Sequence, residues 1–478
     1  RSSRFRRDIP LDVNSVILTA KRKISEILGP LPKFESLSLK FGPGANTNCR
    51  RRTSARWKLS AALACSKELQ SSAKRVLETV PHLARAACRP GRFGPDRPVV
   101  KVESGRLTFV PKNAKTYRSI MIEPSLNTMV QQGYGKYLKQ RLLKYGINLY
   151  DQSINRQLAR KGSLLWDAEK TSKWRGLATI DLSSASDTIA YELVFALLPI
   201  DWALALASCR TGTAVYRDPE GRNYEFRLQK FSSMGNSFTF ELESLIFFGL
   251  TYAVCVLTGM PLDDISVYGD DIIVPSDAAH TLQAVFQELG FSINPEKSYL
   301  EGPFRESCGA DWYCGFNIRP FYLKSNWSPA DLTSFHNFLK RNGWHHDPRF
   351  DRVREAILSL IPDHLALLGP DGYGDGHLIS DDWKPRRKPE MWKRGFHGWI
   401  FDTFVRKERR IKGLIPGDAI LPVYSIYVSS SVRQDIPERA VRFLNKSRHA
   451  RLYGAYAFEL EMKEQMDHFV VRGEAGEK

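Results

Sequence analysis

The chain has 478 residues, with 70 Lys and Arg against 52 Asp and Glu, a formal net charge of +18, and 42 % hydrophobic residues. That balance excludes a wholly disordered chain and a small disulfide scaffold, and the length predicts about two to four lobes at roughly 100–200 residues each. Seven cysteines, Cys49, Cys65, Cys88, Cys209, Cys255, Cys308 and Cys314, show neither paired nor metal-ligand spacing, so reduced thiols in a cytosol and an anionic partner are expected.

The opening Arg1-Ser-Ser-Arg-Phe-Arg-Arg7 lacks the apolar core of a secretory signal, and the most apolar stretch, Ser244 to Leu257, is shorter than a bilayer span needs. No membrane segment is expected. Residues 1–100 read as helices tied by stiff loops: Phe41-Gly-Pro-Gly44, an amphipathic run from Ser54 to Ala87, then the loop Arg89 to Pro95. Arg106 to Val110 is β-prone, and a basic loop from Pro111 to Arg118 leads to Ser119–Ile122 and a helix from about Ser125 to Tyr145.

The middle of the chain alternates more regularly. Leu177–Ile180 is a buried-strand candidate, followed by Asp181-Leu-Ser-Ser-Ala-Ser-Asp187, whose last residue can N-cap a helix to about Leu198. Thr213 to Leu228 reads as a hairpin about Asp218-Pro-Glu-Gly221, and Ser233-Met-Gly-Asn236 opens a long helix to Thr258. Ile265–Tyr268 and Ile272–Val274 are apolar strands separated only by Gly269-Asp-Asp271; a helix from Ser276 to Leu289 closes at Gly290, and Trp312 to Leu323 supplies more strand. Strand, helix, helix, strand, strand, helix, strand is the split βαβ order. Beyond residue 326 the chain reads as helical and again basic, most strongly from Lys384 to Lys412.

The chemistry concentrates at Tyr268-Gly-Asp-Asp271 and at Asp181. Three acids gathered at strand ends repel one another, an arrangement that persists mainly where divalent cations neutralise it. Few hard oxygen ligands suit Mg²⁺, and two such ions can clamp both oxygens of an in-line phosphoryl displacement. The implied reaction is nucleotidyl transfer. The plainer alternative is that Gly-Asp-Asp is only a hairpin turn.

Four segments decide between them: Asp181 to Ile189, Ser233-Met-Gly-Asn-Ser-Phe-Thr-Phe-Glu-Leu-Glu243, Tyr268-Gly-Asp-Asp-Ile-Ile272, and Phe304-Arg-Glu-Ser-Cys-Gly309. In order and spacing they resemble the RNA-directed RNA polymerases, specifically the replicase catalytic beta subunits of positive-strand RNA bacteriophages of the levivirus type. The resemblance is close from about residue 107 to 323. It implies an α+β right hand: N-terminal region and fingers over 1–176, a ferredoxin-like split βαβ palm over 177–325 with a hairpin insertion near 211–230, and a thumb and C-terminal region over 326–478.

By that resemblance Asp181 and Asp270 ligate two Mg²⁺ ions, with Mn²⁺ a possible substitute, and Asp271 has a secondary metal role; successive strand residues point oppositely, so Asp270 and Asp271 are not equivalent. Asp187 is expected near the ribose 2′-hydroxyl, with a simple helix cap as its rival role. Ser233, Gly235 and Asn236 line the nucleotide, although Glu243 stands where the wider pattern carries Asn, so the residue completing ribose recognition stays open. Lys112, Lys115 and Arg118 hold the triphosphate, against a solvated basic turn, and Lys297 protonates departing pyrophosphate, against a plain surface lysine. Cys308 and Cys314 make a weak zinc pair, and His345-His346-Asp347 reads as a solvated helix boundary. The resemblance also implies RNA template and product, ribonucleoside triphosphates, host elongation factors Tu and Ts, a ribosomal single-strand RNA-binding protein for some members, primer-independent initiation, and residence in the cytoplasm of an infected bacterium. A reverse transcriptase would share the acids but prefer deoxyribonucleotides; a non-catalytic RNA-binding protein would explain the charge but not the acids.

Overall fold

The helix Val13–Leu28 starts at Asp12, whose carboxylate accepts the Asn14 and Ser15 amides, and buries Val16, Ala20, Ile24, Ile27 and Leu28 along one stripe. In the computed structural model that stripe lies against the helix Thr239–Thr258. A side chain at Gly249 would come within 2.7 Å of Ile24, so the glycine permits the close crossing. The structure describes residues 11–384, apart from 43, 51–57, 59–60, 82, 84–87, 92–93, 99, 113–115, 167–175, 323–328 and 342–347, and also 400–404 and 446–451. Lys115, the His345-His346-Asp347 run and most of the basic stretch from Lys384 to Lys412 lie outside the described residues.

The chain divides into two compact units, Arg1–Ile318 and Arg319–Lys478. In the first, three antiparallel strands run in the order Ser266–Tyr268, Asp271–Pro275, Leu177–Ile180. Beyond Ile180 the chain continues as Leu182–Ser183, which pairs antiparallel with Ser292–Ile293, and Thr179 bridges Tyr299. The helices Thr239–Thr258 and Ser276–Glu288 pack on these strands. A second sheet, in the order Asn223–Arg227, Thr213–Arg217, Gly105–Pro111, Tyr117–Ile122, is continuous at its last strand with the backbone of Met234, whose carbonyl accepts the Met121 amide at 2.7 Å. The meander Phe304–Ser307, Ala310–Tyr313, Phe316–Asn317 is tied to the first sheet by the fully buried Arg305, which donates to the Leu177 carbonyl at 2.5 Å.

In the second unit the helices Pro329–Arg341 and Pro348–Leu360 share a small core of Leu332, Leu339, Ile357, Ile361 and Leu378. Leu368–Gly369 pairs parallel with Leu378–Ile379, and Ile400–Phe404 antiparallel with Lys446–Arg451. The expected helical C-terminal region therefore holds strands as well.

Several sequence expectations change. In the Ser54–Ala87 run, Leu63–Cys65 is a buried strand parallel to Val100–Val102, and Ala73–Thr79 is an α-helix; three apolar residues gain more from a partner strand than from one helical face. The Arg89–Pro95 loop falls largely in two antiparallel strands, Cys88–Gly91 and Gly94–Pro98. Asp187 caps no helix: it lies inside the single turn Ala185–Thr188, and the chain breaks at Ile189 before Tyr191–Leu197. The strand expected to Leu323 ends at Asn317. The helix Thr239–Thr258 is 20 residues long and, by length and composition, apolar enough to cross a membrane; 72 % of that stretch is buried inside the fold, as in a core helix. Cys49, Cys65, Cys209, Cys255, Cys308 and Cys314 are free thiols.

Candidate active site

Gly269 and Asp270 form the bend between the two strands, with Tyr268 paired to Asp271. Gly269 has φ +64° and donates its amide to Ser244 Oγ at 2.9 Å; a Cβ there would meet the Phe240 ring at 2.7 Å and Glu243 Oε1 at 3.1 Å. Only glycine fits this left-handed, crowded turn. Ile272 pairs with Ile180, so one further step of the antiparallel register sets Asp181 level with Asp271. Asp181, Asp270 and Asp271 are thus brought together, each half-buried.

Their surroundings differ. Asp181 is gripped by the Asn294–Ser298 segment: Asn294 Nδ2 donates to its Oδ2 at 2.7 Å, the Asn294 amide to its carbonyl at 2.9 Å, and its own amide donates to Ser298 Oγ at 3.1 Å. Asp271 Oδ1 accepts the Cys308 amide at 3.2 Å and its carbonyl accepts Asn155 Nδ2 at 3.1 Å. Cys308 therefore serves Asp271 through its backbone, and the weak zinc pairing with Cys314 gains nothing. Burial, then the charges of Asp181 and Asp271, push the Asp270 carboxyl up to about 6. Burial also raises the Asp271 carboxyl against the opposing Cys308 amide, with Asp181 adding to the rise. Lys297 lies 4.0 Å from Glu306; burial disfavours its charge, but Asp181, Glu306, Asp271 and Asp270 outweigh that and hold the ammonium above the ordinary lysine range.

Asp187 accepts from Lys230 Nζ at 2.5 Å and from Ser119 Oγ at 3.4 Å. Gly235 has φ +108°, and a Cβ on it would lie 2.0 Å from the Met121 carbonyl, so its close approach is to the chain's own strand. Ser233 and Asn236 are buried beside it; Asn236 Oδ1 accepts the Phe238 amide at 3.1 Å, while its Nδ2 has no partner among the described residues. Lys112 and Arg118 are exposed at the ends of the Gly105–Pro111 and Tyr117–Ile122 strands, and among the described residues neither pairs with the three acids.

Four residues of this neighbourhood escaped sequence reasoning as site members: Lys230, Asn294, Ser298 and Glu243. Glu243 is buried, and burial first, then Asp270, Glu241 and Asp187, push its carboxyl up to about 8. Its departure from the wider polymerase pattern was the available signal. Asn294 and Ser298 flank Lys297 in Asn294-Pro-Glu-Lys-Ser298, which was singled out for the lysine alone.

Among the described residues, no three His, Cys, Asp or Glu side chains converge tightly enough to hold a metal ion by themselves. The donor set nonetheless fits Mg²⁺: the ligands are carboxylate oxygens, they burden one another with charge, and Mg²⁺ is ordinarily held by one or two carboxylates with substrate phosphates and waters completing the shell.

The family model described as RNA replicase, beta-chain matches residues 6–411. The chain belongs to the RNA replicase beta-chain family. The match runs well beyond the motif-bearing stretch. The protein named RNA-directed RNA polymerase subunit beta of Enterobacteria phage SP is 40 % identical over 375 residues, covering 76 % of this chain and 61 % of that protein. The subunit of the same name from Escherichia virus Qbeta is 38 % identical over 391 residues, with 79 % and 62 % covered, and the RNA-directed RNA polymerase beta chain of Escherichia phage MS2 is 39 % identical over 278 residues, with 57 % and 48 % covered. The chain spans about three fifths of the length of the first two curated relatives. Among solved structures, the RNA-dependent RNA polymerase of a human picobirnavirus is similar at a TM-score of 0.41 and 14 % identity, covering 72 % of this chain and 68 % of that one.

Proposed function

We propose that the chain is the catalytic subunit of an RNA-directed RNA polymerase, joining ribonucleotides to an RNA 3′-hydroxyl on an RNA template during phage replication. The observation that carries this reading is the strand register that sets Asp181 level with Asp271 beside the Gly269-Asp270 bend. The strand order, with Ser292–Ile293 alongside Leu182–Ser183, supports reading residues 177–325 as a split βαβ palm; residues 1–176 as fingers and 326–478 as a thumb belong to the same proposal.

In this reading Asp181 and Asp270 hold Mg²⁺, with Asp271 as an outer partner kept in place by the Cys308 amide. The bound ions supply charge neutralisation of the reacting phosphates and a more acidic 3′-hydroxyl. The chain's own residues do the rest. Asn294 fixes the Asp181 carboxylate and Ser298 its backbone, Asp187 accepts the ribose 2′-hydroxyl, and Lys112, Lys115 and Arg118 neutralise the triphosphate. Lys297, held charged by the acids around it, has the proton a departing pyrophosphate needs. Initiation without a primer, host elongation factors Tu and Ts as partners, a ribosomal RNA-binding protein, and work in the cytoplasm of an infected bacterium complete the proposal.

The test is incubation of the chain with template RNA, four ribonucleoside triphosphates and Mg²⁺. Asp270→Asn should lower product formation by about a hundredfold or more while leaving RNA binding intact. Equal synthesis by the variant, or a preference of the native chain for deoxyribonucleotides, would defeat the reading.

A further inference from the structure

We propose that Lys230 is a positioning residue for ribonucleotide selection: its ammonium, 2.5 Å from Asp187 Oδ1, sets the carboxylate that receives the ribose 2′-hydroxyl. The inference rests on the polymerase reading above and adds a residue that no motif of the family resemblance includes.

This ion pair differs from an ordinary surface pair in how its partners are held. Lys230 forms an antiparallel bridge with Ala190. On either side of it the Tyr191 amide donates to the Gln229 carbonyl at 3.0 Å, and the Phe231 amide to the Ile189 carbonyl at 2.8 Å. The Lys230 carbonyl itself accepts Arg210 Nη2 at 3.1 Å, and the neighbouring Phe231 is buried. Asp187 lies on the helical turn Ala185–Thr188, which leads straight into the same bridge. Both backbones are therefore clamped to one another, and the two side chains are only 21 % and 31 % exposed. A lysine on a free surface loop would have neither constraint.

The second carboxylate oxygen, Oδ2, accepts Ser119 Oγ from the Tyr117–Ile122 strand at 3.4 Å. Each carboxylate oxygen carries two lone pairs, so Lys230 and Ser119 use one on each and leave one on each for a substrate hydroxyl. With the rotation of the carboxylate arrested from both sides, its remaining lone pairs point where the bridge and the strand direct them. A nucleotide lacking the 2′-hydroxyl leaves such an acceptor unmet in a half-buried site, which is the condition under which a missing hydroxyl is rejected strongly.

The experiment measures kcat and KM for a ribonucleotide and its 2′-deoxy analogue on an RNA template, using the 478-residue chain and the variants Lys230→Met, Lys230→Arg and Asp187→Asn. Lys230→Met should reduce the ribonucleotide preference by about tenfold to a hundredfold, the value of one charged hydrogen bond, with the loss expressed more in ribonucleotide KM than in kcat. Lys230→Arg should recover part of it. Adding Lys230→Met to Asp187→Asn should change the preference no further, because the lysine acts through that carboxylate. Unchanged preference and KM in Lys230→Met, or a full additional loss in the Asp187→Asn background, overturns the inference while polymerase activity stands. If Lys230→Met does not fold, Lys230→Gln against Lys230→Arg makes the same comparison. If the native chain incorporates no nucleotide at all, the polymerase reading fails first and takes the inference with it.

Discussion

At the scale of single residues, the bend at Gly269 shows how a short motif combines backbone and chemistry. The left-handed φ of +64° costs an L-residue about 1–2 kcal/mol, and the space a methyl group would need is taken by the Phe240 ring and Glu243. Gly269→Ala should therefore lower the melting temperature by several degrees and cut nucleotide incorporation at least about tenfold, since any relief of the clash displaces Asp270, the next residue. Thermal melting beside single-turnover incorporation checks this; an alanine variant with native values of both would contradict it. Asp181, Asp270 and Asp271 were legible because each sits at the edge of an apolar run, a local signal. Lys230 was not, because its partner lies across a hairpin and is reached only through the Ala190 bridge. Glu243 stood in plain view as a mismatch, but its burial beside Asp270 is a fact of packing between a helix and a turn.

Between elements, the buried polar residues at the N-terminal half of the Ser125–Lys144 helix form the joint of the first unit. Asn127 Nδ2 donates to Ser66 Oγ at 2.8 Å and to the Cys209 carbonyl at 3.0 Å, and Gln131 Nε2 donates to the same carbonyl at 2.9 Å. Beside them Glu123, fully buried, accepts Thr211 Oγ1. Burial pushes its carboxyl up to about 7, although Thr211, Gln131 and Arg210 work against the rise. The folded chain therefore keeps a proton that the unfolded chain loses above the ordinary glutamate value of 4.5. This contribution is intact below about pH 4.5 and is lost as pH rises towards 7, by an amount on the order of 3 kcal/mol. Glu123→Gln should flatten that part of the pH–stability profile, measured by urea unfolding between pH 4.5 and 7.5; a variant that retains the full slope would show that another group is responsible. Sequence periodicity located this helix but not the joint, since Ser66 and Cys209, the partners of Asn127 and Gln131, lie far from them along the chain. The same limit explains Leu63–Cys65: its strand exists because Val100–Val102 lies alongside, a partner no local window contains.

For the whole molecule, charge was the most legible property and the arrangement of its C-terminal part the least. A formal +18 points to a polyanion, whereas strands such as Ile400–Phe404 and Lys446–Arg451 pair across a long separation that composition does not encode. The charge carries its own prediction. Binding of single-stranded RNA without reading bases releases counterions, so the logarithm of affinity should fall linearly with the logarithm of salt concentration at about 0.7 per phosphate contacted. Six to ten contacts, an ordinary number for a channel that tracks a backbone, give a slope of about −4 to −7. Asp270→Asn removes an anion and no cation, so its slope should equal that of the native chain even as synthesis fails, which separates loss of chemistry from loss of template. Fluorescence anisotropy of a labelled oligonucleotide from about 0.05 to 0.3 M salt measures both slopes. A native slope shallower than about −1 would mean that the excess of Lys and Arg does not face RNA, and a steeper or shallower variant would mean that Asp270 shapes template binding as well as chemistry.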